Sequence, residues 1–220
     1  MGTYSRRLFI IAITSFSLLA CSIPSFSTID SKQAKFAEVI FEVEIPSDTS
    51  PGEMVYIELY EPFSNTTTRN LMGQKDTLHF TYVTNLPIGQ MFMYRYLRGE
   101  TADTVEADTS GNLISYRNIY IEAPSYIQDI VSAWSNHAYT GMTGKIQGSL
   151  SSELPMQGFF ASAAGITVPV NDQGNFEING LRPGTHWLVI YNAENLLKPF
   201  QQQAIIAPNA ITPVNITLNP

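Results

Sequence analysis

Two runs of residues decide the fold: Val39-Ile40-Phe41-Glu42-Val43-Glu44-Ile45, and Val55-Tyr56-Ile57-Glu58-Leu59-Tyr60. In the first, Val39, Phe41, Val43 and Ile45 alternate with Ile40, Glu42 and Glu44. In the second, Val55, Ile57 and Leu59 alternate with Tyr56, Glu58 and Tyr60. A period of two places successive side chains on opposite faces of an extended chain, so each run predicts a strand with one apolar face. Pro46 to Gly52 supplies the turn between them.

The same pattern continues toward the C-terminus. A polar loop is expected over Pro62 to Asn70, with three consecutive threonines. Leu78, Phe80 and Tyr82 form the next alternation, and Leu86-Pro87-Ile88-Gly89 turns it into Phe92, Tyr94 and Tyr96. Asp108-Thr109-Ser110-Gly111-Asn112 reads as a hairpin turn, followed by strands near Asn118–Glu122 and Ile127–Trp134. No window keeps helical periodicity for about ten residues. Ser135 to Met142 is a polar break, taken as a linker over residues 135–142. Beyond it come short strands at Lys145–Leu150, Gly158–Ser162, Ile166–Val170, Phe176–Ile178, His186–Tyr191, Gln203–Ala207 and Val214–Leu218. Asn171-Asp172-Gln173-Gly174 is a further hairpin turn. The fold class is therefore all-β: two successive β-sandwiches, over residues 36–134 and 143–220.

The N-terminus has a different character. Arg6 and Arg7 precede an apolar run from Leu8 to Ala20, and Leu18-Leu19-Ala20-Cys21 ends in the one cysteine of the chain. The run is about 13 residues, short of the roughly 20 needed to span a bilayer. Charged n-region, short h-region and small residue before a cut are the order of a secretory signal. With cysteine next, the stretch resembles a bacterial lipoprotein signal with its lipobox. That resemblance implies a signal peptide over residues 1–20, cleavage before Cys21, and a diacylglyceryl thioether on its sulfur. It places the mature protein in the bacterial cell envelope, extracytoplasmic and held to the membrane through lipidated Cys21. Residues 21–35, rich in Ser, Thr and Pro at their start, read as a tether.

Charge narrows the partners. The chain has 12 basic and 19 acidic residues, a formal charge of −7. Removing Arg6 and Arg7 with the signal leaves 10 basic against 19 acidic residues, or −9. Such a surface repels nucleic acid and anionic headgroups, so no nucleic-acid partner is expected and the acyl chains must supply attachment. No cysteine is left for a disulfide or thiolate site. A hydrophobic content of 44% with 11% aromatic residues supports a folded protein.

The first half resembles carbohydrate-binding module family 20, the starch-binding modules, over roughly residues 37–134. The resemblance is carried by Val39–Ile45, by Pro51-Gly52-Glu53-Met54-Val55-Tyr56-Ile57 and by Tyr94-Arg95-Tyr96-Leu97-Arg98-Gly99. It continues through Asp103-Thr104-Val105-Glu106, Gly111-Asn112, Arg117 and Asp129-Ile130-Val131 to Trp134. It implies an immunoglobulin-like sandwich that binds α-glucan through exposed aromatic rings. The tryptophans of the family's sugar site are replaced here by Glu58–Thr66 and by Glu100, Thr101 and Ala102. Tyr60, Phe63 and Tyr116 are the candidate substitutes; the other reading makes them ordinary packed or half-exposed sandwich residues.

The second half resembles the carboxypeptidase regulatory-like (transthyretin-like) module over about Thr143–Pro220. The carrying residues are Gly144-Lys145-Ile146-Gln147-Gly148, Asp172-Gln173-Gly174-Asn175-Phe176, and Gly180-Leu181-Arg182-Pro183-Gly184-Thr185 running into Leu188-Val189-Ile190. It implies a seven-stranded prealbumin-like sandwich with a spacer or adhesion role and no catalytic residues. By period two, Trp187, Val189 and Tyr191 share the face opposite Leu188 and Ile190. Exposed, Trp187 and Tyr191 would form an apolar platform for a glycan or a protein partner; otherwise the contact between the sandwiches covers them.

Other chemistry finds no foothold in the sequence. His79, His137 and His186 are scattered, with no metal-ligand spacing, so neither a metal nor a cofactor is expected. No serine stands in a nucleophile elbow and no glycine-rich phosphate loop occurs. Glu106 to Gly111 looks briefly like a calcium loop, but Arg117 occupies the place of the closing glutamate. The expectation is a non-enzymatic, lipid-anchored carbohydrate-binding protein. The alternative is a structural or protein-interaction lipoprotein that has lost its sugar site.

Overall fold

The computed structural model describes residues 35–62, 64–194 and 197–218. The signal, Cys21, most of the tether, and Phe63 lie outside the described residues. Among the described residues there is no helix.

The first sandwich is made of β1 (Phe36–Glu44), β2 (Val55–Glu61), β3 (Thr66–Leu71), β4 (Gly73–Gln74), β5 (His79–Pro87), β6 (Gln90–Arg98), β7 (Thr104–Ala107), β8 (Arg117–Ile121), β9 (Ser125–Ile130) and β10 (Ala133–Trp134). One sheet has the order β4-β5-β1-β9 and the other β10-β7-β6-β2-β3, with β8 paired to β6. β7 and β8 share one side of β6: β7 takes Leu97 and Arg98, and β8 takes Gln90 to Tyr94. The alternations of the sequence face inward as expected, and Val39, Phe41, Val43, Val55 and Ile57 are fully buried. The expected Pro62–Asn70 loop is corrected. Thr66–Leu71 is an edge strand antiparallel to β2. Its polar residues hid it from a period-two reading, yet an exposed edge needs no apolar face.

The second sandwich is made of β11 (Gly144–Ser152), β12 (Phe159–Ala163), β13 (Ile166–Pro169), β14 (Asn175–Leu181), β15 (Gly184–Asn192), β16 (Phe200–Ile206) and β17 (Ile211–Leu218). Its sheets have the orders β14-β11-β17 and β13-β12-β15-β16. Ile146, Ile178, Leu188 and Ile190 lie between them, wholly buried.

Residues 34–220 nevertheless form one compact unit. The outer face of the β13-β12-β15-β16 sheet closes the side of the first sandwich where β8 and β9 end its two sheets. Gln201 from β16 accepts from the Tyr120 backbone N–H at 3.1 Å and donates to the Tyr120 carbonyl at 2.9 Å. A side-chain amide thus takes the part of a neighbouring strand along β8. Arg182 donates to the Val131 carbonyl at 2.8 Å and to Glu44 at 2.6 Å. Asn118 donates to Ser162 at 3.1 Å, and Thr109 donates to the Gly180 carbonyl at 2.6 Å. Two glycines make the close approach feasible: a Cβ at Gly184 would run into Ile130, and one at Gly165 into Ile114. Both also hold a positive φ, 139° and 79°, that L side chains resist.

Candidate functional site

Within the first sandwich, Arg117, Glu106 and Asp129 meet in the interior. Arg117 reaches Glu106 at 2.7 Å and Asp129 at 2.9 Å, and donates to the Ile130 carbonyl at 2.9 Å. Tyr94 and Tyr96 both donate to Asp129 at 2.8 Å, and the Tyr96 N–H donates to Glu106 at 3.0 Å. Burial opposes the charge on Arg117, but the two carboxylates outweigh it and hold the guanidinium well above its usual range. Burial raises Glu106 against the pull of Arg117. Burial, reinforced by Asp129, pushes both tyrosines far up. Trp187 and Ser162 to Gly165 of the second sandwich cover this cluster, leaving a void of only ≈ 10 Å³. Tyr94, Tyr96, Glu106, Arg117 and Asp129 are therefore interior and out of reach of a ligand.

Trp187 does share a face with Val189 and Tyr191, but it is no free platform. It packs against the core of the first sandwich, and Val189 is buried with it. The contact between the sandwiches covers the tryptophan because that face is the one β15 turns toward β8 and β9. His186, on the other side of β15, is fully buried and points Nε2 at the Arg182 carbonyl, 2.6 Å away. Burial lowers its pKa. His79 lies on Asp76 and His137 beside Asn136, far apart in the chain, and no cluster of metal-ligating side chains occurs among the described residues. The Glu106–Gly111 stretch ends in a turn in which Asp108 accepts from the Ser110 and Asn112 N–H groups.

Two further candidates, Tyr60 and Tyr116, lie on the outer face of the β10-β7-β6-β2-β3 sheet and its β8 flank. Glu58 and Tyr60 point outward from β2, and Met91, Met93 and Arg95 outward from β6, because Ile57, Leu59, Phe92, Tyr94 and Tyr96 point in. Register sets Arg69, Glu58 and Arg95 side by side across β3, β2 and β6, with Tyr116 next to Arg95. Glu58 accepts from Arg69 at 2.8 Å, from Arg95 at 2.7 Å and from the Tyr116 hydroxyl at 3.1 Å. Burial raises the Glu58 pKa, but these donors and the two positive charges outweigh it and bring it below the usual value. Tyr60 stacks on Tyr116 with ring centres 5.7 Å apart and planes inclined by 30°. The Arg95 guanidinium also lies over the Tyr116 ring, 4.8 Å from its centre. The Tyr60 hydroxyl donates to Asn65 at 3.1 Å.

Next to this pair opens a groove of ≈ 670 Å³, walled by both sandwiches. Met91, Met93 and Tyr120 line one side and Tyr191, Leu197 and Pro199 the other. Tyr191 is half-buried and stacks on Phe160 with centres 5.7 Å apart. Of the sequence candidates, then, Tyr60 and Tyr116 come together, Tyr191 lies in the adjoining groove, and Trp187 is taken up by the contact between the sandwiches. Sequence reasoning missed Met91, Met93 and Tyr120. Period two does place them opposite Phe92, Tyr94 and Ile119, but only the second sandwich makes them a wall.

No family model matches the chain, and no curated protein does. Solved structures with similarity include a leucine-rich repeat protein from Bacteroides thetaiotaomicron, at 11% identity and a TM-score of 0.27 over 84% of this chain. The Bacillus anthracis TIE protein matches at 13% identity and a TM-score of 0.31, again over 84%. This chain spans 26% and 35% of the length of those two. The shaft pilin spaA from Lactobacillus rhamnosus GG is covered to 98%, with 11% identity and a TM-score of 0.28 over 84% of this chain.

Proposed function

We propose that this is a lipid-anchored, extracytoplasmic, non-catalytic binding protein whose ligand is a glycan, with α-glucan as the class its first-sandwich resemblance implies. The observation that carries the reading is the Tyr60–Tyr116 pair, set on an accessible sheet face and framed by Asn65, Arg69 and Arg95. Aromatic rings accept the apolar face of a sugar, and neighbouring amides and guanidiniums read its hydroxyls. Glu58, the carboxylate at the pair, is held ionised by two arginines and so has no proton to deliver as a general acid. The anchor through Cys21 rests on the lipobox resemblance and would concentrate the site at the cell surface.

One observation favours the second reading, a scaffold or protein-interaction lipoprotein: Trp187 serves the contact between the sandwiches. Calorimetric titration of the full chain with maltoheptaose, in a detergent without a sugar headgroup, separates the two. Saturable heat that a Tyr60→Ala, Tyr116→Ala double mutant loses supports the glycan reading. No heat at millimolar sugar from the folded protein leaves the scaffold. The anchor has its own check: Cys21→Ser must move the protein from the detergent phase to the aqueous phase, and unchanged partitioning removes that part of the proposal.

A further inference from the structure

We infer that the groove between the sandwiches continues the Tyr60–Tyr116 surface, so that one linear, uncharged glycan chain is gripped by both sandwiches at once. The inference rests on the glycan reading above and extends it to the form of the ligand. Continuity comes first. Tyr60 is paired in register with Met93, and Met93 lines the groove. Tyr116, Asn118 and Tyr120 follow one another at every second position into β8, and the last two also line it. Adjacent strands are about 4.8 Å apart, so the path from β2 across β6 to β8 is already roughly 10 Å before the second sandwich begins. That is longer than one sugar ring, and Tyr191 lies beyond it.

The groove's chemistry narrows what fills it. Rings and thioethers provide apolar surface, and the amide side chains of the lining, Gln90, Asn118 and Asn192, are uncharged. The one charged lining residue, Lys198, is paired with Glu122 at 2.9 Å. A ligand with apolar faces and many hydroxyls suits such a lining; a charged one finds no free counter-ion among the lining residues. An extended peptide would need a free strand edge to pair with. The Tyr120 N–H and carbonyl that would serve are already held by Gln201. These same bonds, with Asn118 on Ser162, fix the two walls relative to each other, so the groove stands open without a ligand.

The test compares maltotriose with maltoheptaose on the full chain, again in detergent without a sugar headgroup. The expected result is a clear preference for the longer sugar. Tyr191→Ala, on the second sandwich, should cut the heptaose-to-triose affinity ratio about tenfold, the equivalent of ~1.4 kcal/mol. Met91→Ala on the opposite wall should lower the same ratio, which guards against a folding defect in either variant alone. If both sugars bind and neither variant changes the ratio, the groove is no part of the site, while the Tyr60–Tyr116 reading stands. If neither sugar binds the folded protein, the glycan reading falls and this inference falls with it.

Discussion

Tyr116 and Arg117 are neighbours in the chain and belong to two clusters on opposite faces of one sheet. Inside, two carboxylates, Glu106 and Asp129, share one arginine, Arg117. Outside, two arginines, Arg69 and Arg95, share one carboxylate, Glu58. The chemistry is similar and the surroundings are not. Arg117, Glu106 and Asp129 have side chains no more than 3% exposed; outside, Glu58 itself is only 4% exposed, but its partners Arg69 and Arg95 are 43% and 25% exposed. A buried ion pair must be complete, because each partner left alone is an uncompensated charge. A pair whose cations reach solvent is partly screened, and those cations remain available to a ligand. The inner cluster is therefore architecture, and the arginines of the outer one are surface.

The largest effect that could break this contrast is at Arg117. Arg117→Met keeps most of the side-chain volume and strands Glu106 and Asp129 in the interior. The expected cost is about 3–5 kcal/mol, read from the urea midpoint of the full chain, with Arg95→Met as the outer counterpart at ~1 kcal/mol or less. Because Trp187 and Ser162 to Gly165 cover the inner cluster, the Arg117 variant should also loosen the contact between the sandwiches. A loss at Arg117 no greater than at Arg95 would mean that water reaches the inner cluster and that burial does not separate the two.

How much of this could be read from the chain follows from the same contrast. Strands such as Val39–Ile45 and His186–Tyr191 were legible because a core on one side imposes period two on the residues themselves. β3 was not, since an edge strand with Thr66, Thr67 and Thr68 exposed owes nothing to a core. The pairing of Tyr60 and Tyr116 was open only as a pair of candidate residues, because the stretch between them carries no spacing signal; register across β2, β6 and β8 brings them together. The fate of Trp187 depended on what lay against β15. The sequence offered two faces and no means to choose between solvent and the first sandwich. Gly184, which looks like a turn residue, turns out to matter also for that approach, and so does Gly165.

The smallest effect, and the one that sharpens the comparison most, is the pH dependence of Glu58. Its folded pKa lies below the ordinary carboxylate value, so the unfolded chain binds its proton first as pH falls. The stabilisation is then complete above the unfolded value, about 4.3, and is lost as pH drops through the folded one. Glu106 has the opposite sign. Its pKa is raised by burial, so it favours the folded state at low pH and gives up stability as pH rises from the unfolded value toward the folded one. Glu58→Gln removes only the first contribution. It should cost on the order of 1 kcal/mol near neutrality, given how exposed its arginine partners are, and nothing below the folded pKa. Urea titrations of wild type and Glu58→Gln at a series of pH values should converge in acid and part above the carboxylate range. Curves that stay parallel through that range would mean that the Glu58 charge does not hold the outer cluster together, and that Tyr116 keeps its place by stacking on Tyr60 and Arg95 alone.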